Sequence, residues 1–238
     1  MMSTKRQALN TRHCLRIAHR GASAAAPENT MSAFRKALEL GADAVECDVH
    51  VSKDGEAVVI HDDTLERTTS GRGRVADFTL KELKGFVAGG GERIPTLEEL
   101  LAFAADRLMV FIEIKAADAV PRVAELVTRC SKRHGYARFP VIGFNWDTLL
   151  RIQAVNANIL IGATPPEQRI PADFTARAQA AGMWSVNPCI DALEQPVVDD
   201  AHRLRLKIIT WTANTPEQIA KAKALGVDGM ISDAVENL

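Results

Sequence analysis

The sequence predicts an α/β protein, a (β/α)8 TIM barrel, on three observations. Short β-branched or apolar runs alternate with helix-period stretches along the chain. Eight such runs can be found, each followed by a helical pattern or a turn. The length of 238 residues is close to the roughly 250 that such barrels take. Alternating β and α implies a parallel sheet, and a doubly wound open sheet is the alternative that shares the pattern.

The strand candidates are 15–18, 43–49, 108–114, 139–144, 158–162, 183–187, 206–211 and 228–232. Helical patterns separate them at 30–40, 96–105, 118–133, 147–156, 172–181, 190–203 and 215–225. Thr96 to Glu99 reads as a capping box, with Leu97, Leu100, Leu101 and Ala104 on one face. Thr215 to Gln218 is a second, with Pro216 at the first helical position. Gly41, Gly182 and Gly226 stand where helices should stop. The stretches LGADAVEC and LGVDGMIS resemble each other, each a helix end, a glycine and a strand start.

One segment breaks the rhythm. Residues 57–61 read as an extra strand hairpinned to 43–49, and 62–95 then form a connection far longer than the usual two to six residues. A short helix is expected at 80–85, and the segment reads as a lid or a dimer contact. The domain plan is therefore an N-terminal tail over 1–12 and one barrel over 13–238 that includes the insertion 62–95.

Apolar residues make up 47% of the chain, enough for a large core, and the net charge is −1, which does not suggest a nucleic-acid or anionic-membrane binder. The four cysteines lack metal-site spacing and read as reduced thiols. No apolar run is long enough for a signal peptide or a membrane span. A cytoplasmic location without stable membrane association is the expectation, and a homodimer stays open.

The polar residues gather at strand ends. In DAVECDV, Val45, Cys47 and Val49 share the face that packs under helices, while Glu46 and Asp48 share the inner face. Two carboxylates on one inner face repel each other unless a cation, or the charges of Arg20 and Lys115, sit between them. In VFIEIK, Glu113 reaches the same mouth from the next barrel strand. Three carboxylates suit one divalent cation, Mg²⁺ or Ca²⁺, rather than zinc. His19 and His61 end the first strand and the extra strand, where histidines can exchange protons. His13, His134 and His202 read as structural or surface groups, and His50 shares the parity of Glu46 without a role. Arg20 and Lys115 supply fixed positive charge for an anionic, tetrahedral centre. Phe144 and Trp211 read either as core or as a wall beside a substrate's carbon skeleton.

The stretches AHRGASAAAPENT, VECDVHVSKDGEAVVIHDDTLERTTSGRG, IPTLEELL, FIEIK, WTANTPE and GVDGMISD resemble the glycerophosphodiester phosphodiesterase family, in the same order. The resemblance runs from Leu15 to Asp233. It implies a TIM barrel with a small insertion, one cation held by Glu46, Asp48 and Glu113, an acid–base pair in His19 and His61, and phosphate contacts from Arg20 and Lys115. Glu28, in the PENT motif, is given a supporting role beside the HRG loop. The implied reaction is metal-dependent hydrolysis of a small-molecule glycerophosphodiester to sn-glycerol 3-phosphate and an alcohol. The rivals are a lysophospholipase D or a phospholipase C-like phosphodiesterase and, outside catalysis, an inactive barrel kept as a binding module.

Overall fold

The computed structural model describes residues 14–167 and 169–238. The tail assigned to 1–12, and His13, lie outside the described residues. Strand β1 (Leu15–Ala18) leads to α1 (Met31–Glu39), then β2 (Ala44–Val51) and β3 (Ala57–Val59). Helices α2 (Leu80–Leu83) and α3 (Leu97–Ala104) precede β4 (Met109–Ile114). The sequence continues through α4 (Val120–His134), β5 (Val141–Gly143), α5 (Trp146–Val155) and β6 (Ile161–Ala163). It ends with α6 (Phe174–Ala180), β7 (Ser185–Val186), α7 (Gln195–Arg203), β8 (Lys207–Thr210), α8 (Pro216–Leu225) and β9 (Gly229–Ser232).

The sheet closes on itself. Strand β1 pairs in parallel with both β2 and β9, and the remaining pairs run β2–β4–β5–β6–β7–β8–β9, all parallel. Eight parallel strands thus form the barrel, and β3 is extra, pairing antiparallel with the end of β2 at Val49–Val59 and Val51–Ala57. This is the expected barrel, and the open sheet is excluded.

Period-two alternation sorts the side chains into two layers. Leu15, Ile17, Ala44, Met109, Phe111, Ile142, Ile209 and Ile231 fill the barrel interior. Val45, Cys47, Val49, Val110, Ile112 and Ile114 face the other way, into the core shared with the helices. Both expected capping boxes form, on Thr96–Glu99 and Thr215–Gln218. A third, Thr79–Glu82, starts α2 inside the insertion. Helix α7 begins five residues later than its apolar pattern predicts. Pro196 belongs in a first turn, and the Ile190 N–H is already committed to the Trp211 carbonyl at 2.7 Å.

The insertion is packed rather than loose. Val58, Ile60, Leu65, Val75, Leu83 and Ile94 form a small core of their own, with Phe78, Leu80 and Phe86 against it. It also rests on the loop after β1. A Cβ added at Gly89 would lie 2.7 Å from Pro27 Cβ, so only glycine permits that approach.

Candidate active site

The site lies at the C-terminal ends of the strands, where barrels of this kind place their chemistry. Register assembles it. Asp48 on β2 pairs directly with Glu113 on β4. Strand β1 pairs with β2 at Ile17–Ala44 and Ala18–Val45, so the next residue, His19, arrives level with Glu46. One carboxylate oxygen from each of Glu46, Asp48 and Glu113 can be chosen so that all three lie within 4.8 Å of one another.

The cluster is nearly dry, with Glu46 only 2% exposed and Asp48 1%. Burial, reinforced by the charges of Asp48 and Glu113, pushes the Glu46 carboxyl well above its ordinary value. Burial would also raise Asp48, but Lys115, Arg20 and His61, with a hydrogen bond from Asn29, outweigh it and hold that carboxyl below the usual range. Lys115 Nζ stands 2.7 Å from Glu113 Oε1 and 3.2 Å from Asp48 Oδ1, and Arg20 Nε is 3.3 Å from Asp48 Oδ2. The Arg20 backbone N–H donates to Glu46 Oε2 at 3.0 Å. Both cations foreseen as partners are therefore in place. They still leave Glu46 Oε1 buried without a hydrogen-bond partner among the described residues. A buried carboxylate oxygen with no protein donor, in an all-oxygen set, fits a hard divalent cation.

Two histidines flank the cluster, and each is gripped from behind. His19 Nδ1 lies 2.6 Å from Asp233 Oδ1, at the end of β9, and its Nε2 is 4.0 Å from Glu46 Oε2. Asp233 also accepts from Ser23 Oγ at 3.0 Å and Asn214 Nδ2 at 2.6 Å. His61 Nδ1 lies 2.6 Å from Asp62 Oδ1. The ionised aspartates are acceptors only, so each Nδ1 carries a proton and each Nε2 is left for chemistry. Asp62 is held far below the ordinary range, chiefly by hydrogen bonds from Arg67.

The loop from Arg20 to Thr30 is shaped by close contact. A Cβ at Gly21 (φ +80°) would fall 2.6 Å from Ala33 Cβ, so this glycine serves packing against α1. Ser23 and Ala24 are the small residues that leave space. With His19, Arg20, Glu28 and Asp233 they line a cavity of about 390 Å³ at the mouth. Thr30 caps α1, its side chain accepting from the Ala33 N–H. Asn29 turns the other way and donates to Asp48 Oδ2 at 2.9 Å. Glu28 accepts from Arg20 Nη1 at 2.9 Å. Phe144 is 44% exposed at the rim, edge-on to Trp211 with ring centroids 5.9 Å apart. Trp211 is half-buried and donates its indole N–H to the Asn187 carbonyl.

His50 points to the site only indirectly, its Nε2 lying 3.0 Å from the His61 carbonyl. His134 meets Asp106 and His202 meets Asp228, outside the cluster. No motif in the sequence points to a role for Asp233, Asp62 or Arg67. Asp62 follows His61 directly, and that adjacency is the one signal available for it. The others depend on contacts between distant segments.

Residues 19–237 match the sequence model of the glycerophosphoryl diester phosphodiesterase family. The chain belongs to that family. A glycerophosphodiester phosphodiesterase of Caldanaerobacter subterraneus is 37% identical, with 93% of this chain and 95% of that protein covered. Family members of known structure share the barrel. The Thermotoga maritima glycerophosphodiester phosphodiesterase is 32% identical, with 95% of this chain and 98% of that one covered, at a TM-score of 0.80. A phosphodiesterase of Oleispira antarctica, solved in complex with the product sn-glycerol-3-phosphate, is 28% identical, with 93% of each chain covered, at a TM-score of 0.83.

Proposed function

We propose that this chain hydrolyses sn-glycero-3-phosphodiesters to sn-glycerol 3-phosphate and an alcohol, with His19 and His61 as its acid–base pair. The observation that carries the reading is two histidines, each tied through Nδ1 to an aspartate, beside one carboxylate cluster flanked by Arg20 and Lys115. Family membership, and the product bound in the Oleispira enzyme, support the substrate class.

Glu46, Asp48 and Glu113 would hold one divalent cation, Mg²⁺ or Ca²⁺. When bound, it supplies Lewis acidity at a phosphoryl oxygen and acidifies a nearby hydroxyl. The chain's own residues do the rest. His19 accepts at Nε2 the proton of the glycerol 2-hydroxyl as that oxygen bonds to phosphorus. The bond to the alcohol breaks, and His61 gives the departing oxygen its Nε2 proton. Asp62 balances the charge on His61 while both ring nitrogens are protonated. Water then opens the cyclic phosphate with the roles exchanged: His61 takes a proton from water, and His19 returns one to the glycerol 2-oxygen. Arg20 and Lys115 hold the non-bridging phosphate oxygens as charge shifts. Phe144 and Trp211 wall the carbon skeleton.

The test is release of glycerol 3-phosphate from glycerophosphocholine, with EDTA and then with Mg²⁺ or Ca²⁺ restored. Activity abolished by EDTA and rescued by a cation is the expected result, and the faster cation identifies the preferred ion. No release with any cation would exclude this substrate and direct the search to lysophospholipids and phosphoinositides.

A further inference from the structure

Arg67 belongs to the insertion and to none of the motif positions assigned a role above. Its guanidinium joins two carboxylates from separate segments, Glu28 on the loop after β1 and Asp62 after β3. Nη1 and Nη2 donate to the two oxygens of Glu28, at 2.7 and 2.9 Å. Nε and Nη2 donate to the two oxygens of Asp62, at 2.7 and 3.0 Å. The planar fork of arginine is thus used on both edges, a geometry lysine cannot copy.

Each carboxylate leads to the site by one further contact. Asp62 Oδ1 accepts from His61 Nδ1 at 2.6 Å. Glu28 Oε1 accepts from Arg20 Nη1 at 2.9 Å. Glu28 stands on the loop after β1, which the close approach of Gly89 to Pro27 locks against the insertion. Asp62 and Arg67 both follow β3. Without Arg67, the Asp62 carboxylate keeps one partner, the histidine it must orient, and it is free to turn toward water.

We infer that Arg67 is a positioning residue: anchored on Glu28, it fixes the Asp62 carboxylate and so keeps a proton on His61 Nδ1, leaving Nε2 to give and take the catalytic proton. This rests on the proposed phosphodiesterase reading. It also gives the insertion a definite task, since the segment after β3 carries both His61's partner and the arginine that fixes that partner.

The experiment compares Arg67→Met and Arg67→Lys with wild type, alone and in a His61→Ala background, using glycerophosphocholine with the cation present. Arg67→Met should lower kcat about 10–100-fold, as loss of a group behind a catalytic residue does, with KM changing less than about threefold. Arg67→Lys, which keeps charge but loses the fork, should fall between. In His61→Ala the same Arg67→Met change should cost less than about threefold, because groups acting as a unit are not additive. An undiminished cost in that background would overturn the inference, as would wild-type kcat in Arg67→Met. A purely structural anchor would lower the melting temperature and leave the kcat of folded protein intact. Nitrogen-15 spectra of the histidines give a readout independent of turnover. In its neutral form the His61 ring should be the Nδ1–H tautomer in wild type and lose that preference in Arg67→Met. An inactive wild type would sink the phosphodiesterase reading while these spectra still decide the role of Arg67, and an unchanged tautomer would overturn it.

Discussion

His19 and Asp233 are separated by 214 positions and meet at 2.6 Å. That contact pulls the Asp233 carboxyl down to about 2, chiefly through the His19 hydrogen bond and against burial, with the His19 charge, Asn214 and Ser23 adding to it. A carboxyl depressed on folding stabilises the protein above its unfolded value of about 3.9 and loses that contribution as pH falls. Asp233 should therefore stay ionised well below pH 4 and contribute to unfolding between about pH 4 and 2. Carboxyl NMR titration checks this, and an Asp233 midpoint near about 4 would mean the pairing does not persist in solution. Asp233→Asn offers an amide that can donate to Nδ1 and move the proton to Nε2, so kcat should fall about 10²–10⁴-fold with little change in KM. His19→Ala and His61→Ala should each lose at least about 10²-fold in kcat, and near-wild-type turnover in either would remove that residue from the mechanism. The cluster of Glu46, Asp48 and Glu113 could be read from sequence because strand parity is a local property. Asp233, Asn29 and Arg67 could not, because their partners are supplied by barrel closure and by the docking of the insertion.

At the scale of elements, the HRG loop and α1 form one unit joined at Gly21. A Cβ there meets Ala33 Cβ at 2.6 Å and the Ala33 carbonyl carbon at 2.7 Å, on a backbone already at φ +80°. Gly21→Ala should cost roughly 2–4 kcal/mol, from overpacking together with a left-handed alanine. It should also lower activity, because displacing the loop moves His19 and Arg20. The contrasting change is Thr96→Ala at the start of α3. Thr96 accepts from the Glu99 N–H at 3.1 Å and gives its own N–H to Glu99 at 2.7 Å. Losing that cap should cost about 1 kcal/mol, a few degrees in melting temperature, with kcat unchanged. Thermal melts and steady-state assays on both variants separate the two kinds of element. The caps of α3 and α8 were legible because capping is written within four residues. The start of α7 differs from the apolar pattern because Ile190 and Leu193 continue that pattern, while the backbone at Cys189 and Ile190 is held in extended pairing with Trp211 on the neighbouring strand end. Strands β5, β6 and β7 are shorter than their apolar runs, which belong partly to buried flanking residues such as Phe139, Ile159 and Met183.

The whole barrel carries a local instability at its mouth. Three carboxylates converge there with Arg20 and Lys115, leaving one more negative than positive charge if all are ionised, and Glu46 Oε1 is orphaned. Because the folded state raises the Glu46 carboxyl, ionising it there is harder than in the unfolded chain. Its effect on stability therefore has the opposite sign to that of Asp233. In metal-free protein, stability should fall as pH rises from the ordinary glutamate value toward the raised folded one. A bound cation should reverse this, contributing about 2.7 kcal/mol when present at a hundred times its Kd. Glu46→Gln keeps an oxygen for the Arg20 N–H but removes the charge. That variant should melt higher than wild type in EDTA at neutral pH and lose most of the melting-temperature gain that Mg²⁺ or Ca²⁺ gives wild type. It should also be nearly inactive, since a protein more stable without its ligand has given up the site the ligand needs. Melting curves with EDTA and with each cation decide the matter. An unchanged cation response in Glu46→Gln would remove Glu46 from the ligand set, and a lower melting temperature in EDTA would show that Arg20 and Lys115 already neutralise the cluster without a metal.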